Sequence, residues 1–227
     1  MLATENVVPM LTALIQRLFA LLPLGQWGRV LSAGLRWGRG LLSGRSPEGL
    51  YEVLDYESRL ELLDIRGRKA VLYKRERVRF LQNDSIAYQD KAWGTGQIFA
   101  DYKCSPGIAV DRYREGHRWQ ILIALRATKK RGDIEEFHIQ RTIRNGFRQS
   151  AEDFQTDIDH QTHRLTLRIV FPRKRLPKQV SILQQNAART QVLGNEQRQT
   201  LPDGRQQFTW RTKKPRRYEA YILQWVW

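Results

Sequence analysis

The chain has almost no cysteine, since Cys104 is the single one among 227 residues. One cysteine cannot form an internal disulfide, which excludes a small disulfide-stapled secreted fold. The sequence also lacks a Gly-rich phosphate-binding fingerprint after a strand, and helices do not alternate with strands beyond residue 50. These absences argue against a nucleotide-binding α/β domain and leave a core built from apolar side chains.

Acidic residues are scarce at the start of the chain. Residues 1–45 hold five arginines and one acid, Glu5, while the whole chain carries 39 Lys and Arg against 23 Asp and Glu, a net charge of +16. Such a charge favours nucleic acid, anionic lipid or an acidic protein as partner, without choosing among them. A hydrophobic content of 41% and an aromatic content of 10% indicate a folded chain.

Composition divides the chain into an N-terminal segment, residues 1–45, a linker, 46–49, and a basic domain, 50–227. Apolar and polar residues alternate in several short runs of the basic domain, with Trp119–Leu125, Leu165–Phe171 and Tyr221–Trp227 the clearest. Alternation of period two is typical of half-buried strands. We therefore predict a mainly β fold, an antiparallel β-sandwich or barrel of about eight or more strands, preceded by an N-terminal amphipathic helical hairpin.

The predicted hairpin consists of residues 7–22 and 26–45, separated by Pro23-Leu24-Gly25. On a helical wheel each segment has an apolar face and a polar face, and the polar face of the second is made of arginine and serine. Four glycines in its interior, Gly28, Gly34, Gly38 and Gly40, make that second helix weak in isolation, so it needs an apolar surface to pack on. The residues predicted to dock are Leu14, Leu18, Phe19, Trp27, Arg29, Arg36, Trp37 and Arg39.

Three surfaces fit this amphipathic pair. An acid-free arginine face with tryptophan near its boundary favours an in-plane helix on an anionic membrane. The outer face of the chain's own sheet is the second surface, and a partner chain, including a second copy, is the third. A fourth interpretation makes the segment an organelle transit peptide.

Basic residues also cluster in the predicted β domain. Lys74, Arg75, Arg77 and Arg79 lie along one strand, and three loops are rich in lysine and arginine. If these loops lie at one end of the fold, they form a basic rim that contacts phosphates of nucleic acid or lipid headgroups. The loop residues are Lys129, Lys130, Arg131, Arg173, Lys174, Arg175, Lys213, Lys214, Arg216 and Arg217.

Two polar clusters are candidates for chemistry. Asp157, Asp159, His160 and His163 combine residue types that bind metals, although the favoured interpretation is an exposed hairpin in which the aspartates serve the turn. Glu136 and His138 share one face of a predicted strand, as a general acid–base pair requires. Cys104 matches no Cys–His signature.

No motif combines a nucleophile, a base and a residue that orients the base, so an enzyme ranks last and no catalytic residue or cofactor is predicted. The leading hypothesis is a non-enzymatic module of the cytoplasm, associated with a membrane or a partner protein through its N-terminal helices, which also offer a route to oligomers. Its basic sandwich binds an acidic partner, and a membrane-disturbing effector is one variant. The alternative is a nucleic-acid-binding subunit of a larger complex, and the third hypothesis is a metal-dependent enzyme.

Overall fold

The computed structural model describes residues 49–227, which contain fourteen strands and a short 3-10 helix, Asn195–Gln197. The prediction of a mainly β fold is confirmed. The predicted N-terminal helical hairpin and all of its predicted docking residues lie outside the described residues. The strands are β1 (Tyr51–Leu62), β2 (Lys69–Phe80), β3 (Ser85–Ala92), β4 (Gln97–Ser105), β5 (Ile108–Glu115), β6 (Arg118–Lys129), β7 (Ile134–Arg144), β8 (Ala151–Asp157), β9 (Arg164–Phe171), β10 (Gln179–Gln184), β11 (Arg189–Val192), β12 (Arg198–Thr200), β13 (Gln206–Lys213) and β14 (Ala220–Val226).

The described residues fall into two compact units. The first comprises residues 49–51, 80–93 and 106–133, and the second comprises 52–79, 94–105 and 134–227. The predicted basic domain, 50–227, therefore contains two clusters of internal contacts.

The first unit is built on a three-stranded antiparallel sheet of order β3-β6-β5. Its central strand is buried on both faces, because Ile121 and Ile123 point to one side while Leu122 and Ala124 point to the other. A strand that is buried on both faces has apolar residues at consecutive positions, without the alternation of a half-buried strand.

The second unit contains a seven-stranded sheet of order β12-β13-β9-β1-β2-β7-β4 and a four-stranded sheet of order β11-β10-β14-β8. The two sheets meet through aromatic side chains. Phe171 of β9 makes an edge-to-face contact with Trp225 of β14 at 5.9 Å between ring centroids, and Trp210 of β13 lies 5.3 Å from Tyr221 of β14. These contacts give this unit a sandwich-like core.

One expectation about strand direction is wrong. The seven-stranded sheet is mixed, because β1 and β9 run parallel, in register from Tyr56 opposite Leu165 to Glu61 opposite Val170. Alternation of apolar residues indicates which face of a strand is buried. It does not indicate whether the neighbouring strand in the sheet runs parallel or antiparallel. Two strands paired at a distance in sequence are free to run parallel, whereas a tight hairpin forces them antiparallel.

Candidate functional site

The seven-stranded sheet has one apolar face and one polar face. In β9, Leu165, Leu167 and Ile169 are fully buried, while Thr166 and Arg168 point the other way. We call the side of the sheet that carries Thr166 and Arg168 the polar face. Its side chains come from alternate positions of neighbouring strands, as the period of two dictates.

Arg75 of β2 is the centre of the polar face. Its Nη2 donates to Asp55 Oδ2 at 2.9 Å and to Glu57 Oε2 at 3.4 Å, and its Nη1 donates to Glu136 Oε2 at 3.0 Å. Burial acts to lower the pKa of Arg75, but hydrogen bonds and attraction from Asp55 and Glu136 outweigh it and raise the pKa. One guanidinium thus joins the acids of both flanking strands.

The carboxylates of β1 are also paired from the opposite side of the strand. Arg168 of β9 forms an ion pair with Glu57, and Arg205 Nη1 donates to Glu61 Oε2 at 2.8 Å. Burial, followed by repulsion from Arg211, lowers the pKa of Arg168. A row of acids flanked by two rows of arginine gives a sheet face on which most charges are satisfied within the protein.

Glu136 and His138 lie together on this face, as the strand pattern predicts. The Nε2 of His138 is 3.1 Å from Oε1 of Glu136, and both side chains are well exposed. Across β4 and β7, His138 lies opposite Ser105, and Gln140 lies opposite Lys103.

A cavity of about 390 Å³ opens over strands β1, β2, β7 and β4. Its lining includes the polar side chains of Ser105, His138 and Gln140 and the ring of Tyr73, and the Arg59 guanidinium lies 5.0 Å from the centroid of that ring. The side chain of Lys103 is 69% exposed, and its Nζ lies 3.7 Å from Asp101 Oδ2, which is a weak ion pair. Sequence analysis missed Tyr73 and Lys103, because their proximity depends on pairing between strands. The full lining is Glu57, Arg59, Tyr73, Lys74, Arg75, Lys103, Cys104, Ser105, His138, Ile139 and Gln140.

Two of the predicted basic loops lie at opposite ends of the second unit's sheet. The loop with Arg173, Lys174 and Arg175 follows Phe171, which pairs with the first residue of β13, whereas the loop with Lys213 and its neighbours follows the other end of that strand. These two loops therefore form no common rim. The third loop, with Lys129, Lys130 and Arg131, belongs to the first unit.

Two of the loop arginines contact groups in other parts of the chain. Arg175 Nη1 donates to the carbonyl of Ile65 at 2.7 Å, and its guanidinium lies 3.8 Å from the centroid of the Trp227 ring. Arg217 Nε donates to the carbonyl of Asp159 at 3.1 Å and stacks on Tyr218. Such contacts commit guanidinium groups to packing.

The candidate metal ligands are engaged separately. Asp157 Oδ1 accepts from Gln155 Nε2 at 2.7 Å, and His163 Nε2 lies 2.8 Å from Glu52 Oε2. The hydrogen bond to His163 lowers the pKa of Glu52, against an opposing effect of burial. Within residues 49–227, no group of three or more His, Cys, Asp or Glu side chains is placed to hold a metal ion.

No family model matches this chain, and no curated protein matches it. Among solved structures, it is similar to an M1 zinc metallopeptidase from Deinococcus radiodurans, with 8% identity and a TM-score of 0.46, over 76% of this chain and 42% of that one. A mutant of that enzyme bound to a Tyr-Ser-Ala substrate gives 8% identity and a TM-score of 0.47 over the same shares. A putative protease from Parabacteroides distasonis gives 7% identity and a TM-score of 0.45, over 78% of this chain and 40% of that one. The chain thus spans about two fifths of the length of these proteins.

The prediction of a non-enzymatic docking module is wrong, and the similar solved structures are described as peptidases. They also give no support to the effector, membrane or nucleic-acid hypotheses. A physical reason for the error is that the prediction counted charges without their partners. Arginines such as Arg75, Arg168 and Arg205 balance acids on the same sheet. In the described part of the chain, no helix has the length and hydropathy needed to cross a membrane.

Proposed function

We propose that the cavity over β1, β2, β7 and β4 binds the carboxyl-terminal end of a peptide. The observation that carries the proposal is a weakly paired lysine, Lys103, beside a hydroxyl, an amide and an exposed aromatic ring in one concave space of about 390 Å³. Ligand cavities of a few hundred Å³ with a small number of convergent polar groups are the usual form of a small-ligand site.

The charges of the cavity determine where a carboxylate would bind. Arg75 already satisfies three carboxylates, and Arg59 forms an ion pair with Glu61. Lys103 keeps most of its hydrogen-bonding capacity, because Asp101 is 3.7 Å away and both side chains face solvent. A terminal carboxylate binding at Lys103 would gain a charge-assisted hydrogen bond without breaking the ion pairs of the sheet.

The remaining groups match the rest of a peptide end. Gln140 and Ser105 each offer a donor and an acceptor, which is the pair of functions that a peptide group requires. Tyr73 is 37% exposed and presents an apolar ring to a terminal side chain. Glu57, which lines the cavity, disfavours a second negative charge there, and this favours a single carboxylate over an acidic polymer.

Two peptides that differ in one group test this proposal. We expect acetyl-Ala-Ala-Phe with a free carboxylate to bind about 10-fold more tightly than the same peptide with a terminal amide, by calorimetric titration. Tyr73→Ala should weaken binding of the Phe-ending peptide more than binding of acetyl-Ala-Ala-Gly. Equal affinity for the free acid and the amide would overturn the proposal.

A further inference from the structure

The second unit contains another cavity, of about 480 Å³, formed by β11, the 3-10 helix, β12 and β13. Three glutamine side chains line it, Gln191, Gln197 and Gln199, together with two arginines, Arg198 and Arg211. Its residues differ entirely from those of the cavity at Lys103. The two cavities therefore allow two separate ligands.

Two of the glutamine amides are oriented by the protein. Gln191 Oε1 accepts from the indole nitrogen of Trp210 at 3.3 Å, and Gln197 Oε1 accepts from the backbone nitrogen of Gly194 at 2.9 Å. With each carbonyl oxygen held, each NH₂ group remains as a donor for another molecule. A cavity with fixed donors selects a ligand that is rich in oxygen acceptors.

The charges of this cavity favour an anionic group. Arg198 and Arg211 supply two guanidinium groups against one carboxylate, Glu196. Arg211 is also close enough to Arg168 to disfavour the charged form of that side chain. An anion beside Arg211 would relieve this repulsion, and a guanidinium fork binds a carboxylate with two parallel hydrogen bonds.

We infer that this cavity binds an acidic saccharide, with ring hydroxyl oxygens accepting from the glutamine amides and a carboxylate bound at Arg211. A saccharide presents adjacent oxygens at the spacing of planar amide and guanidinium donors, and a volume of about 480 Å³ falls in the range of small-ligand sites. An inorganic anion would use the arginines and leave the three amides without a role.

The test uses the whole chain and three probes: trigalacturonate, its methyl ester and inorganic sulfate. We expect trigalacturonate to bind at least 10-fold more tightly than either control by calorimetry. Tryptophan emission should also change, because Trp210 donates to Gln191. If the methyl ester binds as tightly as trigalacturonate, the cavity does not recognise the carboxylate charge. If sulfate binds as tightly as trigalacturonate, the cavity is a general anion site. Either outcome overturns the inference.

Variants link the binding to this cavity. Arg211→Gln should lower the affinity for trigalacturonate about 10-fold, and Arg189→Gln, a change of an exposed arginine on β11 outside the lining, should leave it unchanged. If Arg211→Gln lowers the melting temperature, Gln199→Ala replaces it as the test variant. Gln199 is exposed, so its truncation should weaken saccharide binding without unfolding the chain. Unchanged affinity in both Arg211→Gln and Gln199→Ala would contradict the inference. Lys103→Gln should leave trigalacturonate binding unchanged, because Lys103 lines the other cavity. Failure of the peptide proposal can therefore be distinguished from failure of this inference.

Discussion

Arg75 of β2 and Glu136 of β7 are joined across the sheet by a hydrogen bond of 3.0 Å from Nη1 to Oε2. The same guanidinium bonds Asp55 and Glu57 of β1, so three strands are linked through one side chain. The polar face is therefore held in one arrangement, and its charge is mostly internal. A cationic run on one strand, such as the run around Arg75, therefore does not by itself create an anion-binding surface.

Loss of the Glu57 carboxylate should destabilise the fold. Glu57 pairs with Arg75 and Arg168, and each of the three side chains is about a third exposed or less. Glu57→Gln leaves two half-buried guanidinium groups without their shared anion, at a cost of about 1–3 kcal/mol in the free energy of unfolding. Urea denaturation measures the change. Asp153→Asn, on an exposed position of β8, should change stability by less than about 0.5 kcal/mol, and an equal effect of both changes would contradict this account.

Gly67 occupies a turn that no other residue fits. Its φ is +64°, and a Cβ at this position would lie 1.5 Å from the carbonyl oxygen of Phe147. Gly116 has a similar φ of +60° but open space around its Cβ position. Gly116→Ala should cost about 1–2 kcal/mol from the left-handed backbone alone.

Gly67→Ala adds a collision with backbone to the same conformational cost. We expect it to be more destabilising than Gly116→Ala by at least about 2 kcal/mol. Thermal unfolding of the two variants side by side gives the difference. Similar melting temperatures would show that the turn at Gly67 rearranges freely.

Tyr113 should make the fold sensitive to alkaline pH. Burial, with added repulsion from Glu115 and Asp111, raises the pKa of Tyr113 to about 12. Between the ordinary tyrosine pKa of about 10 and this value, the unfolded chain loses the phenolic proton while the folded chain keeps it. Stability therefore falls as pH rises through this window. The slope of the unfolding free energy against pH should be shallower in Tyr113→Phe, and identical slopes would contradict the assignment.

Much of the β architecture could be predicted from the sequence, because period-two alternation is a local signal. The runs in β6, β9 and β14 were found in this way. The shared face of Glu136 and His138 follows from the same rule. The direction of β1 relative to β9 is not a local property, so the sequence pattern could not show that they run parallel.

Sequence analysis named Arg75 and His138 separately but did not bring them together with Tyr73 and Lys103, because these residues meet through strand pairing. Arg75 and Glu136 are 61 residues apart in the chain, and Lys103 comes from a third strand. The cationic run around Arg75 suggested an open basic surface, and only the pairing of β2 with its neighbours shows that acids oppose it. The sequence shows which residues are charged. Which acid lies opposite which base depends on how the strands pair in the fold.

The central claim is that Lys103 binds the terminal carboxylate of a peptide, and a cycle of two ligands and two proteins tests it most directly. The affinities of acetyl-Ala-Ala-Phe as free acid and as amide are measured with the native chain and with Lys103→Gln, and Lys174→Gln is the matched control at an exposed lysine in a loop. We predict that the native chain and the control prefer the free acid about 10-fold, and that Lys103→Gln binds both peptides equally. A preference that persists unchanged in Lys103→Gln, or that is absent from the native chain, would contradict the claim.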